Sequence, residues 1–277
     1  MTPLDAVLEP LTFAFFVRAL VAAVVVGVVC AVVGSYMVLR GLAFMGDALS
    51  HSAFPGVVVA YLLKGPFYLG AAVAAVGTAL AIGWVSRRGR LRSDTTIGVL
   101  FAGMFALGVF LFSRIPNYVG DLFGFLFGEI LGIGEGDLVA LTVLAVFVIA
   151  VVALLWKELL YSTFDPLGAA AAGLPVSRLD YVLLAVIALT IVVSLQAVGI
   201  ILVVAMLVTP AAIGQLVATS FGRLVTVAIV VGVLGPVVGL YLSYWLDAAT
   251  GATIVLVETA AFGLALGASS LRRRPAR

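Results

Sequence analysis

The sequence predicts an all-α membrane protein of about nine transmembrane helices, and three observations lead to this fold class. Of the 277 residues, 64% are hydrophobic, only 10% are charged, and the mean hydropathy is +1.31. A soluble globular domain carries about 25% charged residues, so this chain lacks the charge to cover a surface in water, which excludes a soluble enzyme. Apolar runs of roughly 17 to 25 residues recur along the chain, and this is the length of a membrane-spanning helix.

The predicted spans follow one another with short connections, which indicates a single transmembrane domain over residues 1–277. About nine spans fit the pattern best, and boundary uncertainty allows eight to ten. In chain order they cover residues 11–38, 41–63, 66–86, 95–113, 137–156, 179–195, 197–217, 224–243 and 252–270.

Two arginine clusters set the orientation, because cytoplasmic loops collect Lys and Arg. Nine spans place both clusters inside, which predicts an outside N-terminus and a cytoplasmic C-terminus. Residues 119–134 are apolar but short and contain Asp121 and Glu129, so we expect them to lie at the outer surface or to re-enter the membrane. The two clusters are Arg87, Arg88, Arg90 and Arg92, and Arg272, Arg273, Arg274 and Arg277.

Few ionisable side chains fall inside the predicted spans, where such groups are costly and usually face a cavity or a partner. Asp47 and His51, the only histidine, are four residues apart, so a helix places them on one face with Ser50 alongside. Pro55 permits a kink just beyond them and frees a backbone carbonyl. Glu258 lies within the last span, where it could line a pore or pair with a neighbouring helix.

The Asp47–His51 pair is open to three interpretations. A carboxylate and an imidazole suit Mn, Fe or Zn, and two ligands indicate a transient stop on a pathway rather than a four-ligand structural zinc site. The pair could instead satisfy itself and fix helix packing. Proton relay is the third interpretation, since both groups titrate.

A short helix is predicted over residues 166–172, in a cytoplasmic loop. Asp165 is a good N-cap, Pro166 suits the first helical position, and Gly173 followed by Pro175 ends the helix. A helix of two turns is not stable alone, so it needs the rest of the protein to hold it. It is either a docking element or an ordinary loop helix.

Several enzyme and nucleotide-binding signatures are absent from the sequence. There is no G-x-x-x-x-G-K-[ST] phosphate loop, so the chain does not bind ATP in that way. HExxH and G-x-S-x-G are also missing.

Six ordered blocks resemble the permease subunits of ABC transporters that import manganese, zinc or iron. GLAFMGDALSHSAFPGVVVAYLL is the most specific, because it is similar to the Gly-Asp-Ala-x-Ser-His…Pro-Gly signature of that family. The other blocks are SDTTIGVLFAGMFALGVFLFS, LFGEILGIGEGDL, FDPLGAAAAGLP, VGIILVVAMLVTPAA and GLYLSYWLDAATGATIVLV, so the resemblance covers nearly the whole chain.

The resemblance implies half of an importer in the cytoplasmic membrane of a bacterium or archaeon. Its expected partners are a second copy of the chain, two cytoplasmic ATPase subunits, an extracytoplasmic metal-binding protein and membrane lipid, with no nucleic acid. The chain itself is expected to bind no cofactor: a divalent metal is the substrate, and ATP acts through the ATPase subunits. Asp47 and His51 are then pathway ligands, with Ser50 and Glu258 as weaker candidates. The segment 164–175 matches the coupling segment of the family, with Asp165, Pro166, Leu167, Ala170 and Gly173 as the expected docking residues.

Two other functions fit parts of the pattern. A secondary transporter could move metal or another cation on an ion gradient without an ATPase. A membrane enzyme could use Asp47 and His51 as acid and base, although the sequence offers no third catalytic group. The choice among Mn, Zn and Fe stays open, because Asp and His serve all three metals.

Overall fold

A computed structural model of the chain describes residues 8–88, 93–115 and 130–272. These residues form a bundle of α-helices without a strand in the described ranges. We number the helices in chain order. They are α1 (Ala14–Leu39), α2 (Ala43–Ser52), α3 (Phe54–Leu62), α4 (Phe67–Arg88), α5 (Ser93–Phe112), α6 (Glu135–Leu154), α7 (Trp156–Phe164), α8 (Pro166–Ala171), α9 (Val176–Val217), α10 (Phe221–Leu246) and α11 (Thr250–Arg272).

The described helices include eight stretches that are long and apolar enough to cross a membrane, which confirms the predicted fold class. Eight of the nine predicted spans coincide with these stretches. The remaining predicted span, residues 41–63, is divided into α2 and α3, which meet at Ala53. Neither half alone could cross a bilayer, but the two halves together have the length of one span.

Helix α9 contains two of the eight spans, Val176–Leu195 and Ala197–Val217, and the chain reverses between them. Gly199 has φ 78° and ψ 169°, a backbone conformation that side-chain-bearing residues rarely adopt. A straight helix of this length would extend about 63 Å. Instead, Asp180 contacts Arg40 at the end of α1, and Phe221, just after α9, packs on Tyr36 with ring centroids 4.9 Å apart. Both ends of α9 therefore lie beside the same end of α1.

The bundle has two distinct ends. Arg40, Arg87 and Asp180 meet at what we term the arginine end. At the opposite end, Arg18 lies 3.6 Å from Glu135, and the Tyr68 hydroxyl donates a hydrogen bond of 3.2 Å to Asp137. Successive spans thus alternate in direction. Arg90, Arg92 and the arginines after 272 lie outside the described residues.

Helix α1 and the two halves of α9 form the centre of the bundle, whereas α5 and α11 lie at its periphery. The buried core includes Tyr36, Met37, Leu49, Leu183 and Met206. Most of the segment predicted to lie at the outer surface, 119–134, falls outside the described residues. Its last part forms a 3-10 turn, Ile130–Gly132, which contacts α1 and contains the buried Ile130.

Candidate metal pathway and coupling segment

The break between α2 and α3 follows from Pro55. Proline has no backbone N–H, so the carbonyl of His51 lacks the donor that a helix normally supplies four residues later. The backbone stays close to helical through the break: the Ala53 N–H donates to the Leu49 carbonyl at 3.1 Å, and the Val57 N–H donates to the Ala53 carbonyl at 3.1 Å. The chain therefore stays close to helical through the break, and the one backbone donor that proline removes is the one that would meet the His51 carbonyl.

Asp47 and His51 lie on one face of α2, as their spacing predicts. Oδ1 of Asp47 is 3.6 Å from Nε2 of His51, which is longer than a hydrogen bond. On a single copy of the chain the Asp47 side chain is 48% exposed and the His51 side chain is 22% exposed. The opposite face of α2 is buried in the core through Met45 and Leu49. The pair is thus directed away from the bundle centre, and its carboxylate and imidazole do not hydrogen-bond to each other.

Two phenylalanines of α5 surround the His51 imidazole. The ring centroids of Phe101 and Phe105 lie 5.4 Å and 5.3 Å from that of His51, and Phe105 meets it edge to face. Phe54 extends the same aromatic cluster, with its centroid 6.3 Å from that of Phe105. Neither ring was predicted from the sequence to belong to the site. Their i, i+4 spacing within 93–113 was the available signal, but it gave no indication that this face of α5 would lie against α2.

The other predicted pathway candidates are not brought to the pair as metal ligands. The Ser50 side chain is buried, and its hydroxyl donates to the Gly46 carbonyl at 2.9 Å. Across the described ranges, no group of three or more His, Cys, Asp and Glu side chains could hold a metal ion, so Glu258 does not join Asp47 and His51. The site consists of one carboxylate and one imidazole.

Glu258 is a residue of α11, and its side chain lies in the interior of the bundle against α10. Its side chain is fully buried, and neither carboxyl oxygen has a hydrogen-bond partner among the described residues. The carboxyl group occupies space that Gly235 leaves: a Cβ atom at that glycine would lie 2.9 Å from Cγ of Glu258. This environment differs from that of Asp47, which is half-exposed on one copy.

The charged side chains at the arginine end form ion pairs and hydrogen bonds with one another and with neighbouring hydroxyls. Nη1 of Arg40 lies 2.5 Å from Oδ1 of Asp180, and Arg87 contacts the other oxygen of the same carboxylate. Arg40 also donates to the hydroxyls of Ser162 and Thr163, at 2.9 Å and 3.0 Å. The ends of α1, α4 and α7 are therefore tied to the start of α9. The sequence predicts these arginines on one side of the membrane, but it gives no sign that Asp180 is their common partner.

The predicted short helix forms as α8, Pro166–Ala171, within one residue of the expected end. Asp165 caps it: its Oδ1 accepts a hydrogen bond of 2.8 Å from the Gly168 N–H. Gly173 ends it with φ 86°. Ala169 is buried against the protein, whereas the side chain of Leu167 is 84% exposed. The helix is thus held on one side and presents an apolar residue on the other.

Comparison with known proteins identifies the family. A family model described as ABC 3 transport family matches residues 12–268. The chain is 42% identical over 255 residues to the manganese transport system membrane protein MntC of Halalkalibacterium halodurans, covering 92% of this chain and 87% of that protein. It is 44% identical over 258 residues to the chelated iron transport system membrane protein YfeD of Yersinia pestis, covering 93% and 86%.

A solved structure agrees with these relatives. The structure of PsaBC from Streptococcus pneumoniae in complex with Fab contains a chain that is 34% identical to this one, with a TM-score of 0.84 and coverage of 94% of each chain. The chain is a multi-pass membrane protein. It belongs to the ABC 3 transport family, as the permease subunit of an importer rather than a gradient-driven transporter or a membrane enzyme.

Proposed function

We propose that the chain forms the membrane pathway of an ATP-driven importer for Mn²⁺ or Fe²⁺, with Asp47 and His51 as transient ligands of the metal. The names of the relatives support manganese and iron as the substrate class. The observation that carries the proposal is the Asp47–His51 pair, two metal-ligating side chains on one face of a broken helix.

The chemistry of the pair fits a metal that must be both captured and released. Carboxylate and imidazole are suitable ligands for Mn²⁺ and Fe²⁺. An arriving ion loses part of its hydration shell, and Asp47, His51 and the carbonyl of His51 replace some of those oxygens. Binding along a pathway must stay weak enough to allow departure, which a site of two side chains favours.

Exposure of Asp47 on a single copy supports a pathway between two copies of the chain. A charged side chain facing hydrocarbon costs at least about 2.5–3.5 kcal/mol on the insertion scale, so this face of α2 requires a polar or protein neighbour. A second copy would cover it and enclose a water-accessible passage. The homodimer therefore belongs to the proposal together with the metal pathway.

Helix α8 is the proposed contact with the ATPase. Its N-cap and buried Ala169 fix the helix on the permease, and exposed Leu167 and Ala170 face a partner. Helix α7, which leads into α8, is tied to α1 and α9 through Arg40 and Asp180. Movement of a docked ATPase would therefore reach the helices that pack around α2.

The remaining partners and the orientation follow from the same proposal. Two ATPase subunits supply ATP hydrolysis, an extracytoplasmic metal-binding protein delivers the ion, and this chain binds no cofactor of its own. We place it in the cytoplasmic membrane of a bacterium or archaeon, with the N-terminus outside and the arginine end in the cytoplasm. A reporter fused after Arg277 that is active only outside the cytoplasm would contradict this orientation.

The test is metal uptake by the complete transporter in proteoliposomes. Asp47→Asn and His51→Ala should each reduce Mn²⁺ uptake by at least about 100-fold, because each removes one of two side-chain ligands. Ser50→Ala is the matched control: it lies on the same helix and its hydroxyl is used within that helix, so we expect uptake within about two-fold of the parent. All variants should assemble with the ATPase and bind the metal-loaded delivery protein.

Uptake by His51→Ala at the parental rate would show that the pair is structural. Parallel measurements with Mn²⁺, Fe²⁺ and Zn²⁺ identify the substrate. If the unmodified transporter assembles and hydrolyses ATP but takes up none of the three ions, divalent-metal transport itself is contradicted.

A further inference from the structure

An open apolar groove lies between α4 and α9, close to the arginine end. It is lined by Leu80, Ala81, Trp84 and Tyr181 and has a volume of about 600 Å³. Gly83 shapes it, because a Cβ atom there would lie 3.0 Å from Cε1 of Tyr181. The tyrosine ring can therefore lie against the backbone of α4, and the two helices form one continuous apolar surface.

Two arginines at the mouth of the groove differ in how their charge is used. Arg87 lies 5.5 Å from the Tyr181 ring centroid, and its guanidinium is paired with Asp180. Arg88 lies 4.8 Å from the Trp84 ring centroid and makes no ion pair with any residue in the described part of the chain. Arg88 is thus held in place by an aromatic ring while its N–H donors stay available.

Along this side of α4, the residues change from apolar to aromatic to basic, which matches the acyl chains, the interface and the headgroup of a phospholipid. Leu80, Trp84 and Arg88 follow at intervals of four residues, so they form one stripe from the apolar interior toward the helix end. Trp and Tyr side chains favour the level of the lipid headgroups.

We propose that this groove is a binding site for an anionic phospholipid of the surrounding bilayer. One acyl chain lies along Leu80, Ala81 and Trp84, and the phosphate accepts hydrogen bonds from Arg88. Basic residues at the end of membrane helices attract anionic headgroups, each strongly enough for about a five-fold preference. The site is separate from the proposed metal pathway, because its residues lie on α4 and α9 whereas Asp47 and His51 lie on α2.

Tryptophan quenching by brominated lipids tests the site directly. The full chain carries three tryptophans, and Trp156→Phe with Trp245→Phe leaves only Trp84. In bilayers of mixed composition, brominated phosphatidylglycerol should compete for Trp84 about five-fold better than brominated phosphatidylcholine with the same acyl chains. Arg88→Gln should bring this ratio close to one, and Arg88→Lys should keep most of it.

Trp245 provides the matched control at the other end of the bundle. It is 43% exposed, compared with 51% for Trp84, so both tryptophans are accessible on a single copy. A chain that retains only Trp245 should show a ratio near one. Equal quenching of Trp84 by both lipids would overturn the proposal, and so would a five-fold preference that persists in Arg88→Gln. If neither lipid quenches Trp84 while both quench Trp245, protein covers the groove and the proposal is wrong.

Discussion

Two groups of polar side chains in this bundle differ in how far they bond to each other: the Asp47–His51 pair and the Arg40–Asp180–Arg87 cluster. Asp180 contacts both arginines, and Arg40 also donates to two hydroxyls, so the cluster uses its hydrogen-bonding capacity internally. In the pair, the closest ligand atoms stay 3.6 Å apart and the carboxylate is half-exposed. A saturated cluster holds helices together, whereas this pair leaves a carboxylate and an imidazole unbonded to each other, as the proposed metal pathway requires.

The sharpest test of this contrast compares the same substitution at the two aspartates. Asp180→Asn removes the anion that Arg40 and Arg87 share, and we expect it to lower the free energy of unfolding by about 3 kcal/mol, at the low end for a buried pair because the side chains are partly exposed. Asp47→Asn should change it by less than about 0.5 kcal/mol. Thermal unfolding of the purified permease measures both. Equal losses of stability would remove the distinction between the two sites.

The proposed ATPase contact on α8 extends the comparison to a helix that the rest of the protein holds on one side only. Ala170→Arg, at an exposed position of α8, should lower the ATP hydrolysis linked to transport by about ten-fold, because a long charged side chain would enter the ATPase contact. Co-purification of the ATPase and hydrolysis stimulated by the delivery protein are the measurements. Ala169→Arg is the contrasting variant: that position is buried, so the expected result is failure to fold.

Unchanged coupling and unchanged ATPase recovery in Ala170→Arg would show that α8 is an ordinary loop helix. Because Ala169 and Ala170 are adjacent, the pair of variants distinguishes a lost partner contact from a lost fold.

Glu258 shows a third kind of environment: its side chain is buried and has no hydrogen-bond partner within residues 8–88, 93–115 and 130–272. We expect Glu258→Leu to raise the free energy of unfolding by about 1–2 kcal/mol, because it removes the cost of an unsatisfied buried polar group. Metal uptake should stay within about three-fold of the parent, since Glu258 does not group with Asp47 and His51. A large loss of uptake with unchanged stability would instead make Glu258 a pathway residue, the role considered for it from the sequence.

The sequence predicted the helical architecture well, because apolar runs of roughly 17 to 25 residues are what a membrane-spanning helix requires. It also predicted α8, since an N-cap, a proline and a terminating glycine are local signals. Asp180 as the partner of Arg40 was not predictable, because the two are 140 residues apart and meet only through packing. The same holds for Phe101 and Phe105: their spacing defines a face of α5 but not which helix it meets.

The smallest expected effect concerns how His51 is held. Whereas Arg40 is positioned by hydrogen bonds, His51 is positioned by rings, and Phe105 meets it edge to face with centroids 5.3 Å apart. Such aromatic contacts contribute about 0.5–1.5 kcal/mol, so Phe105→Leu should raise the KM for metal uptake by about two- to ten-fold. Assembly and the maximal rate should stay near those of the parent, because both ligands remain. Phe110→Leu is the matched control on the same helix, where the ring lies near Arg114 instead. If both substitutions change KM equally, the rings act on the bundle as a whole rather than on the orientation of His51.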